Sequence, residues 1–270
     1  MLDFWRILAG FLLSALIGAI AYWRGSLTRS GWLGAILTGT ATFGFGGWAW
    51  GLTLIVFFIT SSLLSRFRQL HKQRIAGEKF EKSGKRDIGQ ALANGGMASI
   101  VAILYGITGA PEVLLVLFAG VMATVTADTW ATELGVLSRQ PPRLVTTLRV
   151  VPSGTSGGVT LAGLLASLAG SLIIGITLLA VFWLETGTFV LSFVWITLFG
   201  GCIGSLCDSV LGATVQTMYK TTDGEETERR LSSTGQTNQL IRGWRWMNND
   251  MVNLVSSLVG GLAALLLVSW

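Results

Sequence analysis

Apolar residues run almost unbroken from Phe4 to Trp23, and the same texture returns seven more times along the chain. The stretches lie at about 4–23, 32–47, 48–64, 91–107, 111–130, 157–183, 189–215 and 251–270, and few of them contain a charge. A helix needs about 20 mostly apolar residues to cross the hydrocarbon core of a bilayer. The pattern therefore predicts an all-α, polytopic integral membrane helix bundle of about eight transmembrane helices, one domain over 1–270. One stretch reads in more than one way. Trp32 to Leu64 is continuously apolar, with 44-GFGG-47 as the only turn signal, which allows two short spans, a re-entrant pair or one long tilted helix.

Composition agrees with lipid as the solvent. The chain is 51% hydrophobic and 12% charged, with mean hydropathy +0.63, whereas a soluble domain is about a quarter charged. Its 35 glycines are nearly twice the ordinary share, as expected where helices gain by close backbone approach. Ala162, Ala166 and Gly170 show that spacing. Cys202 and Cys207 sit inside an apolar segment and read as buried, inert thiols. His71 falls in a basic polar segment and reads as a solvated side chain. Arg6 precedes the first apolar run, which is long for a signal-peptide core and reads as the first membrane helix.

Charge distributes on one side. With eight spans, the segments 24–31, 65–90, 131–156 and 216–250 share a side and hold 18 of the 19 Lys and Arg residues. Only Arg6 is left opposite. The positive-inside rule makes that side cytoplasmic and both termini extracytoplasmic. Merging two spans would set Arg24 and Arg29 against the basic loop, so eight fits best. The segment 65–90 becomes a basic cytoplasmic loop containing Lys82 and Lys85, and 216–250 a polar cytoplasmic loop. Sidedness accounts for the net charge of +5, and no nucleic-acid partner is needed.

Polar side chains gather at the same boundary. The fifth span ends in 120-GVMATVTADTWATEL-134, which places Asp128 and Glu133 near its cytoplasmic end. The seventh ends in 200-GGCIGSLCDSVLGATVQ-216, where Asp208, Gly212 and Gln216 share one helical face. The eighth opens with 248-NNDMVN-253, carrying Asn249, with Asp250 and Asn253 on one face. The fourth opens with Asp87, Gln90 and Asn94. Asp and Asn also cap helices, and that reading competes for Asp87 and Asp250. Asp128 and Asp208 follow long apolar runs near helix C-termini, where the dipole disfavours an anion and favours a cation beside it. Upstream of the sixth span, 149-RVVPSGTSGGVT-160 sets Arg149 before Ser153, Gly154, Thr155, Ser156, Gly157 and Gly158. A glycine-rich turn opening a helix offers backbone N–H groups to phosphate. Acids suit Mg²⁺, which takes one or two carboxylates plus phosphate oxygens.

Four motifs in order, "ADTWATELG", "PSGTSGGVTLAG", "GSLCDSVLGATVQ" and "RGWRWMNNDMVN", resemble the membrane family that contains plant and cyanobacterial phytyl-phosphate kinase and eukaryotic transmembrane protein 19. The resemblance spans nearly the whole chain. It implies transfer of a phosphoryl group from a nucleoside triphosphate, CTP by that resemblance, to phytyl phosphate, giving phytyl diphosphate for tocopherol synthesis. The segment 219-YKTTDGEETERRLSSTGQTNQLIRG-243 lacks the Cys and His residues that many relatives carry there, so no metal knuckle is expected.

The expected roles follow. Asp128, Asp208 and Asp250 hold Mg²⁺ and form the catalytic set. Gly154 to Gly158 with Ser153 cradle the nucleotide phosphates, and Arg149, Arg242 and Lys85 neutralise charge. Asn94, Gln216, Asn249 and Asn253 support them. Glu133, five residues from Asp128, points to a different face and is structural. The partners are the bilayer, plasma or thylakoid, and an isoprenoid lipid phosphate. The alternatives are a transporter, a CTP-dependent lipid alcohol kinase or cytidylyltransferase, and a non-catalytic scaffold.

Overall fold

A computed structural model of the chain describes residues 3–77, 79, 84–232 and 235–268. Lys82 and the last two residues of the expected final span lie outside the described residues. Helix α1 (Phe4–Trp23) starts where Asp3 accepts from the backbone N–H groups of Trp5 and Arg6. Helix α2 (Arg29–Gly46) starts on Thr28, whose hydroxyl accepts from the Gly31 N–H at 3.0 Å. The stretch Trp32–Leu64 resolves into two helices, because α3 (Trp48–Arg66) is separated from α2 by Gly47 at φ 91°, ψ −161°. Only glycine takes that backbone conformation at low cost. Across the break, Arg6 donates to the carbonyls of Gly44 (2.8 Å) and Phe45 (3.3 Å). The one basic residue left on the far side is therefore a cation on the negative end of α2.

A short α4 (Gln69–Ala76) follows in the basic segment, then α5 (Ile88–Ile107), opened by a capping box between Asp87 and Gln90. Helix α6 (Glu112–Gly135) is followed by β1 (Arg143–Leu144) and β2 (Gly158–Val159), an antiparallel pair that flanks the serine–glycine turn. Helices α7 (Leu161–Thr186) and α8 (Ser192–Thr214) come next. Strands β3 (Met218–Lys220), β4 (Glu226–Thr227) and β5 (Gln239–Arg242) form an antiparallel sheet in the order β4-β3-β5. Helix α9 (Asn249–Leu265) closes the chain, capped by Asn248. Eight long helices thus stand at the eight predicted positions, and the small strands and α4 are additions to the all-α reading. Among the described residues six helices, α1, α3, α5, α6, α7 and α8, are long and apolar enough to cross a membrane. The Gly- and Thr-rich α2 and the 17-residue α9 fall short of that mark.

Helix α6 is the axis of the bundle. It packs against α3, α5, α7, α8 and α9, and every residue from Phe118 to Ala127 is buried. Close approach depends on small residues meeting Thr124. A Cβ on Gly260 would stand 1.8 Å from its hydroxyl oxygen and one on Gly204 2.1 Å from it, while that hydroxyl donates to the carbonyls of Gly120 (2.9 Å) and Gly200 (3.2 Å). Such packing replaces the hydrophobic drive that lipid does not provide. The small-residue face of α7 is turned from the predicted one. Ala162 is exposed, whereas Gly163, Ala166, Ser167 and Gly170 face the bundle, and a Cβ on Gly170 would stand 3.0 Å from the Thr126 carbonyl.

Candidate active site

The ends of α3, α6 and α8 and the starts of α5, α7 and α9 surround one cavity of about 620 Å³. Alternating helix direction explains this: the segments predicted to share a side do meet at one end of the bundle. Asp128 and Asp208 stand at its inner end, about two turns inside the helix termini, as close neighbours. Helix α9 completes the floor. Ser256, almost fully buried, donates to Asp208 Oδ2 at 2.9 Å. One turn earlier, the amide of Asn253 donates to Asn94 Oδ1 at 3.4 Å and so joins α9 to α5. Asn249 and Asp250 line the mouth above them.

Residues 153–158 form the opposite wall. Gly154 and Gly157 both adopt φ 79°, a left-handed conformation natural to glycine. The turn lies flat on the end of α8: a Cβ on Gly157 would stand 2.5 Å from Ala213 Cβ, and one on Gly212 2.6 Å from Ser156 Oγ. Ser156 donates to Gln216 Oε1 at 2.7 Å, and the buried Gln216 donates in turn to Glu228 Oε1 at 2.8 Å. Lys79 Nζ donates to the Ser153 carbonyl at 2.8 Å. The turn is thus fixed from three directions, yet the backbone N–H groups of Ser153, Gly154, Ser156 and Gly157 donate to no acceptor among the described residues. Successive free N–H groups in such a turn form an anion-binding concavity.

The cations are distributed differently from expectation. Lys85 lines the cavity, but Arg149 and Arg242 do not. Arg149 is exposed at the β1–β2 turn, and Arg242 donates to the Gly212 carbonyl at 2.7 Å and pairs with Glu226 at 3.8 Å. Arg149 thus stands outside the cavity, and Arg242 is committed to the architecture around it. Arg66, Lys72 and Arg86 line it instead. Glu133 borders the cavity, where it accepts from Lys72 and from Ser65. Sequence reasoning also missed Ser256 and Glu228. Ser256 lies three residues beyond Asn253 on the same face of α9, so helical periodicity carried its signal; Glu228 reaches the site only through the fold of the β-sheet loop.

Among the described residues no three His, Cys, Asp or Glu side chains converge closely enough to hold a metal. Asp250 therefore does not complete a three-carboxylate cluster with Asp128 and Asp208. The donor set is two neighbouring carboxylates, with Ser256 beside that of Asp208. Two such groups withdrawn from water are stable together only with a cation or proton between them. A pair of carboxylates that leaves other positions to phosphate and water is the donor set Mg²⁺ favours, so the residues fit that ion.

Fold and site define an integral membrane helix bundle with an acid-bearing polar cavity at one end. The chain belongs to the family described as integral membrane protein DUF92, which matches residues 12–261. It is 36% identical to Protein PGR of Arabidopsis thaliana over 94% of this chain and 93% of that protein. An uncharacterized membrane protein of Methanocaldococcus jannaschii is 29% identical over 97% of this chain and 94% of its own. The chloroplastic Protein VTE6 of Arabidopsis thaliana is 27% identical over 89% of this chain and 65% of its own length. No solved structure matches.

Proposed function

We propose that this chain is a membrane phosphotransferase that passes the γ-phosphoryl group of a nucleoside triphosphate, CTP by family resemblance, to an isoprenoid monophosphate such as phytyl phosphate. The observation that carries the reading is the juxtaposition across one cavity of the Asp128–Asp208 pair and a turn with four unpartnered N–H groups. Phosphoryl transfer asks mainly for positioning and charge neutralisation. The 153–158 turn would bind the donor's phosphates, and Lys85 would face their remaining negative charge. Mg²⁺, held by Asp128 and Asp208, would neutralise charge on the transferring group. An oxygen of the acceptor phosphate forms the new bond to the γ-phosphorus as the bond to the β-phosphate oxygen breaks, and the nucleoside diphosphate leaves. The acceptor oxygen is already ionised at neutral pH, so no general base is needed. That fits a site with no histidine in its lining.

In this reading all eight long helices cross the bilayer and the cavity faces the cytoplasm, as the charge asymmetry requires. The test supplies purified protein with Mg²⁺, each γ-phosphate-radiolabelled nucleotide in turn, and either phytol or phytyl phosphate. Label in a lipid diphosphate formed only from phytyl phosphate is the expected result. Label in a monophosphate formed from phytol would replace this reading with a lipid alcohol kinase, and no labelled lipid from either acceptor would remove the kinase altogether.

A further inference from the structure

A second, narrower cavity of about 110 Å³ lies between α1, α2, α3 and α5. Its walls are almost wholly apolar, from Leu27 and Phe58 at the polar end, past Ala35 and Ile55, to Phe43 and Trp48 at the far end. At the polar end it shares Arg86, Gln90 and Asn94 with the acid-bearing cavity, so the two adjoin there. Arg86 is anchored at that junction. Its N–H donates to the Ser26 carbonyl and its carbonyl accepts from Thr28 N–H, both at 3.0 Å, and Gly31 lies so close that a Cβ would stand 2.0 Å from the Arg86 carbonyl oxygen. The guanidinium lies 5.6 Å from the Phe57 ring centre and 5.9 Å from that of Phe58. Through its side chain it makes no hydrogen bond or ion pair among the described residues. The nearby Glu133 is already engaged by Lys72 and Ser65.

We infer that this cleft holds the hydrocarbon chain of the phosphorylated acceptor, with its phosphate on Arg86. This rests on the phosphotransferase reading for the identity of the head group. Three observations favour the occupant. The cleft is apolar to the point where it meets an arginine, which matches a lipid tail joined to an anion. Burial lowers the pKa of the guanidinium, with Glu133 acting in the opposite direction, and a phosphate partner would offset that desolvation. The nucleotide turn occupies the α7–α8 side of the acid pair, and in-line transfer requires the acceptor to approach from the other side, where the cleft opens.

The cleft also sets a length. From Phe58 to Trp48 it follows α3 for about 15 Å at 1.5 Å per residue. An extended carbon chain advances roughly 1.2 Å per bond, so about a dozen bonds fit, close to three isoprene units.

The experiment uses the purified full chain in nanodiscs and a prenyl monophosphate carrying a diazirine within its second or third isoprene unit. After irradiation the labelled peptides are mapped by mass spectrometry. The expected label falls on residues 35–55, and unlabelled prenyl monophosphates compete better up to three isoprene units and then level off. Ala35→Phe, which narrows the cleft midway, lowers that labelling about tenfold. Label concentrated on Leu164, Leu168 or Leu206, which border the α7–α8 side of the large cavity, would overturn the assignment, as would the absence of saturable label. Since this readout needs no turnover, label in the cleft without phosphoryl transfer would keep the cleft and remove the kinase. Transfer with label on α7–α8 would do the reverse.

Discussion

Asp128 and Asp208 reach each other from two helices that run in the same direction, and Ser256 holds one of them from a third. Their charge is the reason for the arrangement, so removing it while keeping shape is the informative change. Asp128→Asn or Asp208→Asn should lower turnover by about 10²–10³-fold, with monodispersity and thermal unfolding in detergent close to wild type. Ser256→Ala removes one hydrogen bond to a charged group, worth about 1.5–3 kcal/mol, and should cost roughly tenfold or more in turnover. A graded series, with Ser256→Ala between wild type and the aspartate variants, is the pattern to look for in steady-state kinetics. Arg86→Gln should act on the acceptor alone, raising its KM about tenfold or more while the nucleotide KM holds. If both KM values rise together, Arg86 organises the whole cavity rather than one phosphate.

Two kinds of element determine whether that cavity exists. The first is the serine–glycine turn, whose conformation is written into two left-handed glycines. Gly157→Ala combines a disfavoured φ with a methyl group 2.5 Å from Ala213 Cβ, which would lift the turn off α8. The expected result is loss of nucleotide binding with the bundle still folded, measured by titration of a fluorescent nucleotide. The second is the contact of α6 with α8 and α9 around Thr124. Gly260→Ala places a methyl group 1.8 Å from the Thr124 hydroxyl and should destabilise by about 1–3 kcal/mol, seen as a lower Tm in detergent. The opposite pattern, a stable Gly157 variant that still binds nucleotide and a Gly260 variant with unchanged Tm, would contradict both roles.

At the scale of the whole molecule, the sequence pattern located every long helix, because spans in lipid must be continuous apolar runs. It left the 32–64 stretch open, and Gly47 decided it. The strands of two to four residues and α4 were not legible, since elements that short show no periodicity. Within the site, Asp128, Asp208, Asn94, Asn253 and Gln216 could be read from their depth and helical spacing. Arg149 and Arg242 could not be excluded by sequence, because sharing a polar segment does not say whether a side chain turns inward. Lys72 comes from the short α4, and Arg86 and Glu228 from loops, all of them brought to the cavity by tertiary folding. Sidedness is a prediction of the whole chain too. In a protein with Cys202 and Cys207 replaced, a single cysteine at Gly109 should react with an impermeant maleimide from outside the cell. One at Asp223 should react only after permeabilisation.

Phosphoryl transfer at the Asp128–Asp208 pair is tested by mass spectrometry of the lipid products made by wild type and Asp208→Asn, each given Mg²⁺, CTP and phytyl phosphate. Wild type should give phytyl diphosphate and CDP in equal amounts, and the variant almost none. Equal product from both, or unchanged phytyl phosphate with every nucleotide tried, would contradict it.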